Sequence, residues 1–185
     1  MPIKIIGPGS RREPTVIDVS VRARGWANGL APSHCGPVAL YGGHSSSNVE
    51  NAYQFCKVLP EFIKEGSVLP AYFKWAKKGW SYKRLAKVEG GEFILWDGKR
   101  YSAVEARTQV YIPLYRDTVK NSRAWAALKT AYAQNPNLVL WDSAVKADNR
   151  TVRQAIEDID SPLSHGYILA MMLVYGEDMD PNLLP

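Results

Sequence analysis

The chain has little cysteine, little histidine and no long apolar run. Two cysteines, Cys35 and Cys56, exclude a disulfide framework. No CxxC pair or His/Cys spacing suggests zinc, and neither a metal nor an organic cofactor is expected. No apolar stretch approaches the length that crosses a bilayer. The N-terminus, Met1-Pro2-Ile3-Lys4, lacks a signal-peptide pattern, so the expected compartment is cytoplasmic with no membrane partner. Linkers and low-complexity segments are also missing, which leaves one domain across 185 residues. Within it, residues 1–14 read as an irregular arm, after a short first strand or without one, and 176–185 as an extended tail.

What is present is an ordinary globular composition, 46% hydrophobic and 22% charged. The net charge of +5 favours anionic ligands such as phosphates or nucleic acid without demanding them. Arg11, Arg12, Arg22 and Arg24 cluster early, and Lys74, Lys77, Lys78, Lys83, Arg84 and Lys87 cluster mid-chain. A solvated basic surface accounts for these clusters as well as a phosphate site does.

Periodicity predicts an α+β fold, mostly helical, with a small sheet of short strands. Ile17, Val19 and Val21 alternate with polar residues as in a half-buried strand. Pro37 to Tyr41 and Leu138 to Trp141 read as short apolar strands. Phe93 to Tyr101 around Asp97-Gly98 reads as a hairpin. Helices are predicted over Pro70 to Lys78, Ser81 to Val88, Thr151 to Ile156 and Tyr167 to Tyr175, and one after a cap at Asn121 or Ser122. Ser102 to Lys120 is the longest helical pattern, which Pro113 should kink or split. Pro60 should end the first helix, with one more turn over Glu61 to Lys64.

That first helix, Ser45 to Leu59, carries the most chemistry. Ala52, Phe55, Cys56 and Leu59 form an apolar stripe at helical spacing. Glu50, Gln54 and Lys57 fall on the opposite face, with Tyr53 at its border. A carboxyl, an amide and an amine in line suit acid/base and amine chemistry. The same pattern also fits a helix start. Ser47 with Glu50 three residues on is a capping box, and Lys57 then only meets water. Gly42-Gly43-His44 before the helix would let a ligand approach free backbone N–H groups, or only make a turn. The pair Glu50/Gln54 recurs as Glu105/Gln109, each glutamate seven residues after a glycine.

The run Leu30…Pro37-Val38…Gly43…Ser47…Glu50-x-x-Tyr53-Gln54-x-x-Lys57 resembles the opening motif of the NADAR (YbiA-like) family. Trp96, Leu138-Val139…Asp142…Asp148 and Gly166-Tyr167-Ile168-Leu169…Met171 are similar to later family segments, in the same order. The family's W-G after the late aspartate is here Asn149-Arg150, and a lysine of its long helix is here Asp117. The resemblance implies an N-glycosidase or ADP-ribosyl hydrolase that cuts a bond between ribose C1′ and a nitrogen. It implies that Lys57 traps the opened ribose as a Schiff base and that Glu50 moves protons. The ligand would be a nucleotide-like small molecule or an ADP-ribosylated nucleobase.

Around that pair, His44, Tyr53, Gln54, Trp96, Glu105, Arg107, Asp142, Asp148 and His165 are the candidate substrate-binding residues. Arg107 could grip a diphosphate or make a salt bridge, and Asp142 and Asp148 could hold ribose hydroxyls or cap a loop. Two rival functions stand beside the enzyme. One is a non-catalytic binder of ADP-ribose-like nucleotides, as in phage–host conflict. The other is a nucleic-acid-binding protein using the basic clusters.

Overall fold

The structure, a computed structural model, describes residues 3–10, 15–146 and 150–183. Its parallel sheet has three short strands, β1 (Lys4–Ile6), β2 (Val16–Asp18) and, late in the chain, β10 (Val139–Trp141). Between these come β3 (Val38–Ala39), β4 (Ser45–Ser46), α1 (Val49–Gln54), β5 (Lys57–Val58), β6 (Ile63–Lys64) and β7 (Ser67–Val68). Then follow α2 (Pro70–Trp80), β8 (Phe93–Trp96), β9 (Lys99–Tyr101), α3 (Ala103–Ala106), α4 (Ile112–Val119) and α5 (Arg123–Gln134). After β10 the chain forms α6 (Val152–Glu157) and α7 (His165–Tyr175). Mixed α+β is therefore the observed class, with the strands in four small sheets among the described residues.

β10 lies at the centre of the parallel sheet. It pairs with β1 (Ile5 opposite Leu140) and with β2 (Leu140 opposite Ile17). Parallel neighbours require long crossovers, and about two thirds of the chain passes between β2 and β10. α7 supplies the core. Its residues from His165 to Met172 are all buried, as an all-round apolar helix must be. Further order comes from Tyr115, whose buried hydroxyl donates to the Leu30 carbonyl (2.5 Å).

The first helix is shorter than its periodicity predicts. α1 ends at Gln54, and Phe55 and Cys56 turn the chain into β5, which pairs with β8 (Lys57 opposite Ile94). Lys57 therefore sits on a strand. The N-cap is Asn48, whose side chain accepts from the Asn51 N–H (2.8 Å). Ser47 and Glu50 form no capping box. That device occurs instead at Ser102 and Glu105, where both reciprocal bonds close the start of α3. Gly42 and Gly43 do not feed a helix either; they turn β3 into β4.

Other boundaries moved for local reasons. α2 runs through Gly79 to Trp80. A Cβ at Gly79 would lie 2.0 Å from the Phe55 ring, so glycine is what lets that ring lie on the helix backbone. On this helix Phe73 is exposed, while Gly79 and Trp80 are buried. Residues 61–64 form a 3-10 turn (Pro60–Phe62) and β6 rather than another α turn. Residues 81–88 are not helical. Residues 82–88 belong to an irregular strap, described below. Asp97 and Gly98 both have positive φ (47° and 74°), the hairpin turn that their identities predict.

Pro113 acts one turn upstream of itself. Between α3 and α4, Arg107–Tyr111 form a π-helical turn, in which the Ile112 N–H donates to the Arg107 carbonyl. Proline has no N–H for the carbonyl four residues back, and its ring would crowd that carbonyl. Widening the preceding turn relieves the conflict. Ser122 caps α5, accepting from the Trp125 N–H (3.0 Å). α6 opens on a capping box of Thr151 and Gln154. The tail, expected to be extended, includes a 3-10 turn at Pro181–Leu183. Glu177 ties it down by accepting from Trp125 Nε1 and Lys129 Nζ, both at 2.7 Å.

Candidate active site

A cleft of about 800 Å³ opens where these elements meet. α1 brings Glu50, Tyr53 and Gln54, and β5 brings Lys57. The π turn contributes Arg107 and Tyr111. Asp142, the residue after β10, and His165, the first residue of α7, complete the wall. The site thus lies at the carboxyl end of the central parallel strand, where such sheets leave a crevice.

Glu50, Gln54 and Lys57 form a hydrogen-bonded chain. Gln54 Nε2 donates to Glu50 Oε1 (2.7 Å). Lys57 Nζ donates to Gln54 Oε1 (2.7 Å) and to the Val88 carbonyl (2.7 Å). The same Gln54 oxygen accepts the Val88 N–H (3.2 Å), so the amide's orientation is fixed. One neutral amide thus stands between the acid and the amine. Burial pulls the Lys57 amine below the ordinary lysine value, and the nearby Glu50 charge opposes that shift without cancelling it.

The strap over this chain, residues 82–92, is pinned by side-chain amides rather than by a strand ladder. Asn51 Nδ2 donates to the carbonyls of Tyr82 (2.7 Å) and Arg84 (3.1 Å). Asn51 Oδ1 accepts the Ala86 N–H (3.2 Å). With Gln54 bonded to Val88, two residues of α1 satisfy the strap's backbone at four points. The strap's Leu85 and residues 87–92 line the cleft.

The opposite wall is held by buried charge. Asp142 Oδ2 accepts from Ser164 Oγ (2.5 Å) and lies 3.2 Å from His165 Nδ1. Asp142 Oδ1 accepts the Ala144 N–H (3.1 Å), and His165 Nε2 meets the Val19 carbonyl (2.5 Å). Both ring nitrogens therefore face oxygen atoms, which fixes the ring's orientation in the wall. Arg107 is buried too. Its Nη1 donates to the carbonyls of Ala155 (3.1 Å), Ile156 (2.8 Å) and Asp158 (2.7 Å), and its Nη2 to Ser161 (2.5 Å). These are the open carbonyls at the end of α6 and the loop beyond it, where a cation is favoured. Arg107 thus clamps the cleft wall at 155–161, and neither of its two terminal nitrogens is left wholly to a diphosphate. Hydrogen bonds from Ser161 and Arg150 hold the Asp158 carboxyl in the same loop down to about 2. Tyr53 and Tyr111 pack ring to ring (4.8 Å between centroids) beside Arg107. Burial raises both phenols well above the usual range, so both serve as neutral hydroxyls.

Of the residues singled out from sequence, the cleft brings together Glu50, Tyr53, Gln54, Lys57, Arg107, Asp142 and His165. Three others stand elsewhere. His44 packs beside the Trp80 ring (5.8 Å), and Trp96 meets Tyr41 edge-on (5.0 Å) along a separate shallow groove. Glu105 is an exposed helix cap. Asp148 lies outside the described residues, as do Arg11 and Arg12. Lys74, Lys77 and Lys78 are exposed on α2, and Lys83, Arg84 and Lys87 on the strap. Both cysteines are buried thiols pushed up to about 12 by desolvation, which makes them poor nucleophiles. Tyr111, Ser164, Asn51 and the strap were missed. Nothing local in their sequence marks them, because each is defined by a partner distant along the chain.

An α+β fold with an acid–amide–amine chain in a cleft at a strand end is thus the class of molecule. The chain belongs to a family described as one of unknown function (DUF6939), whose model matches residues 10–169. No curated protein and no solved structure matches the chain.

Proposed function

We propose that this protein is an N-glycosidase that hydrolyses the C1′–N bond of a ribosyl nucleotide, with Lys57 as nucleophile and Glu50 as acid and base. The observation that carries the reading is the Glu50–Gln54–Lys57 chain in the cleft, with the amine desolvated and held off its acid by one amide. A neutral amine has two N–H groups and a lone pair. Gln54 Oε1 and the Val88 carbonyl accept the two N–H groups, which leaves the lone pair for an electrophile.

The steps balance with these two groups and water. The Lys57 lone pair attacks C1′. The C1′–N electron pair leaves with the base nitrogen, which takes the Glu50 carboxyl proton. The Glu50 carboxylate then removes one proton from the alkylated Lys57 nitrogen. Breaking the C1′–O4′ bond opens the ribose to an iminium on Lys57, and the ring oxygen takes that proton from Glu50. Water adds to the iminium carbon, and its proton returns to Glu50. The Glu50 carboxyl then protonates the Lys57 nitrogen of this carbinolamine, the C1′–Lys57 bond breaks as the new hydroxyl becomes the C1′ carbonyl, and the hydroxyl proton returns to Glu50. The products are the free base and the ribose phosphate in its aldehyde form, and Lys57 and Glu50 are both regenerated. The tyrosine pair, Asp142 and His165 supply hydroxyl and charged walls for the sugar.

Borohydride reduction during turnover of an ADP-ribosylated guanosine tests this. The expected result is a stable adduct on the peptide that contains Lys57, absent from Lys57→Met, together with loss of turnover by several orders of magnitude. Turnover that survives in Lys57→Met overturns the mechanism. Tight binding with neither adduct nor turnover favours the non-catalytic binder.

A further inference from the structure

Large hydrophobic side chains exposed one at a time need no explanation, but several around one opening do. Trp26, Phe73, Tyr82 and Tyr175 are exposed away from the cleft lining. Val21 (40% exposed), Leu85 (49%) and Ile159 (62%) line the cleft. They come from three separate segments: the turn after β2, the strap, and the loop after α6. Their exposure puts them at the mouth, whereas Arg107, Tyr111, Asp142 and His165 are buried in the wall. Lys87 and Glu89 beside Leu85 pair with each other (2.8 Å), which limits the net charge on this edge. The lining is therefore graded along its depth, with buried ionisable groups inside and, at the entrance, these three apolar side chains beside the exposed Lys87, Glu89, Glu92 and Asp160.

We infer that the mouth formed by Val21, Leu85 and Ile159 is the seat of a planar heteroaromatic base, so that a nucleotide enters sugar first with its base outward. A ribose carries hydroxyls that suit the inner wall. A nucleobase has two apolar faces and a polar edge, so it lies flat against aliphatic side chains while its edge stays in water. In this orientation C1′ falls at the boundary between the two zones. The inference deepens the glycosidase reading and rests on it for the choice of a ribosyl ligand. It makes the base a binding determinant rather than only a leaving group.

Two ligands separate the zones: adenosine 5′-monophosphate and ribose 5-phosphate share the sugar phosphate and differ by the base. Calorimetric titration of each into the Lys57→Met protein removes catalysis from the measurement. Adenosine 5′-monophosphate is expected to bind more tightly. Leu85→Ser and Ile159→Ser should each weaken it about tenfold, in line with the loss of apolar contact on one base face. Their affinity for ribose 5-phosphate should not change, which also shows that the variants are folded. Equal binding of the two ligands, no binding of either, unchanged nucleotide affinity in both variants, or equal losses for both ligands overturns the inference. Failure of the glycosidase reading alone would instead show as base-dependent binding intact with no turnover in the unmodified protein.

Discussion

Gln54 Oε1 lies 2.7 Å from Lys57 Nζ across the junction where α1 gives way to β5. The contact joins the last residue of the helix to the first residue of the strand. It holds the amine in the cleft with a neutral partner rather than a charged one. A direct bond to Glu50 would favour the ammonium, and the amide prevents it.

Gln54→Glu should therefore make Lys57 a stronger base. The reactive amine forms as pH rises through the Lys57 value, so raising that value moves the alkaline-rising limb of reactivity to higher pH. Borohydride trapping measured across pH is expected to show this displacement. An unshifted midpoint would remove Gln54 from the account.

Asn51→Ala should loosen the strap without touching the acid or the amine. Three hydrogen bonds to Tyr82, Arg84 and Ala86 are lost. Leaving such groups unpaired costs about 1–3 kcal/mol. The Ala86 amide should exchange with solvent faster, and trypsin should cut sooner after Lys83 and Arg84. Protection equal to that of the unmodified protein would show that the strap is held by something else.

Arg107→Lys should destabilise the protein even though the charge is kept. One guanidinium reaches four carbonyls between Ala155 and Ser161, and a three-donor ammonium cannot span them. Hydrogen bonds to charged groups are worth about 1.5–3 kcal/mol each, so the loss in urea unfolding should be of at least that order. A variant of full stability with weakened nucleotide binding would instead make Arg107 a ligand residue.

Gly79→Ala places a methyl group on the Phe55 ring, 2.0 Å from its nearest atom. Overpacking of this kind costs about 1–3 kcal/mol, and it should appear as a lower urea midpoint. The usual gain from replacing a helical glycine by alanine should not appear.

Parts of this arrangement were legible in the sequence because they are local. The spacing of Glu50, Gln54 and Lys57 suggested a common face, and the three do share the cleft, although the helix stops at Gln54. The face persists because β5 carries Lys57 back beneath the end of α1. Asp97-Gly98 announced its hairpin, and Ser122 its helix. The parallel sheet was not legible, since β1, β2 and β10 are three residues each and pair across most of the chain. Strands that short carry too few alternations to declare a register. The strap read as a helix because its bonds run to Asn51 and Gln54, not along itself. Arg107 read as a diphosphate ligand or a salt-bridge partner, because the backbone carbonyls it meets have no signature in sequence. The meeting of Asp142 and His165 likewise depends on where β10 ends against α7.

The most direct measurement is the titration of Lys57 Nζ itself, by heteronuclear NMR on selectively labelled lysine, assigned by its loss in Lys57→Met. The account predicts a midpoint below the ordinary lysine value of 10.5, moving upward in Gln54→Glu. A midpoint at 10.5 that ignores that substitution would mean a solvated ammonium, and the desolvated amine at the centre of the site would be gone.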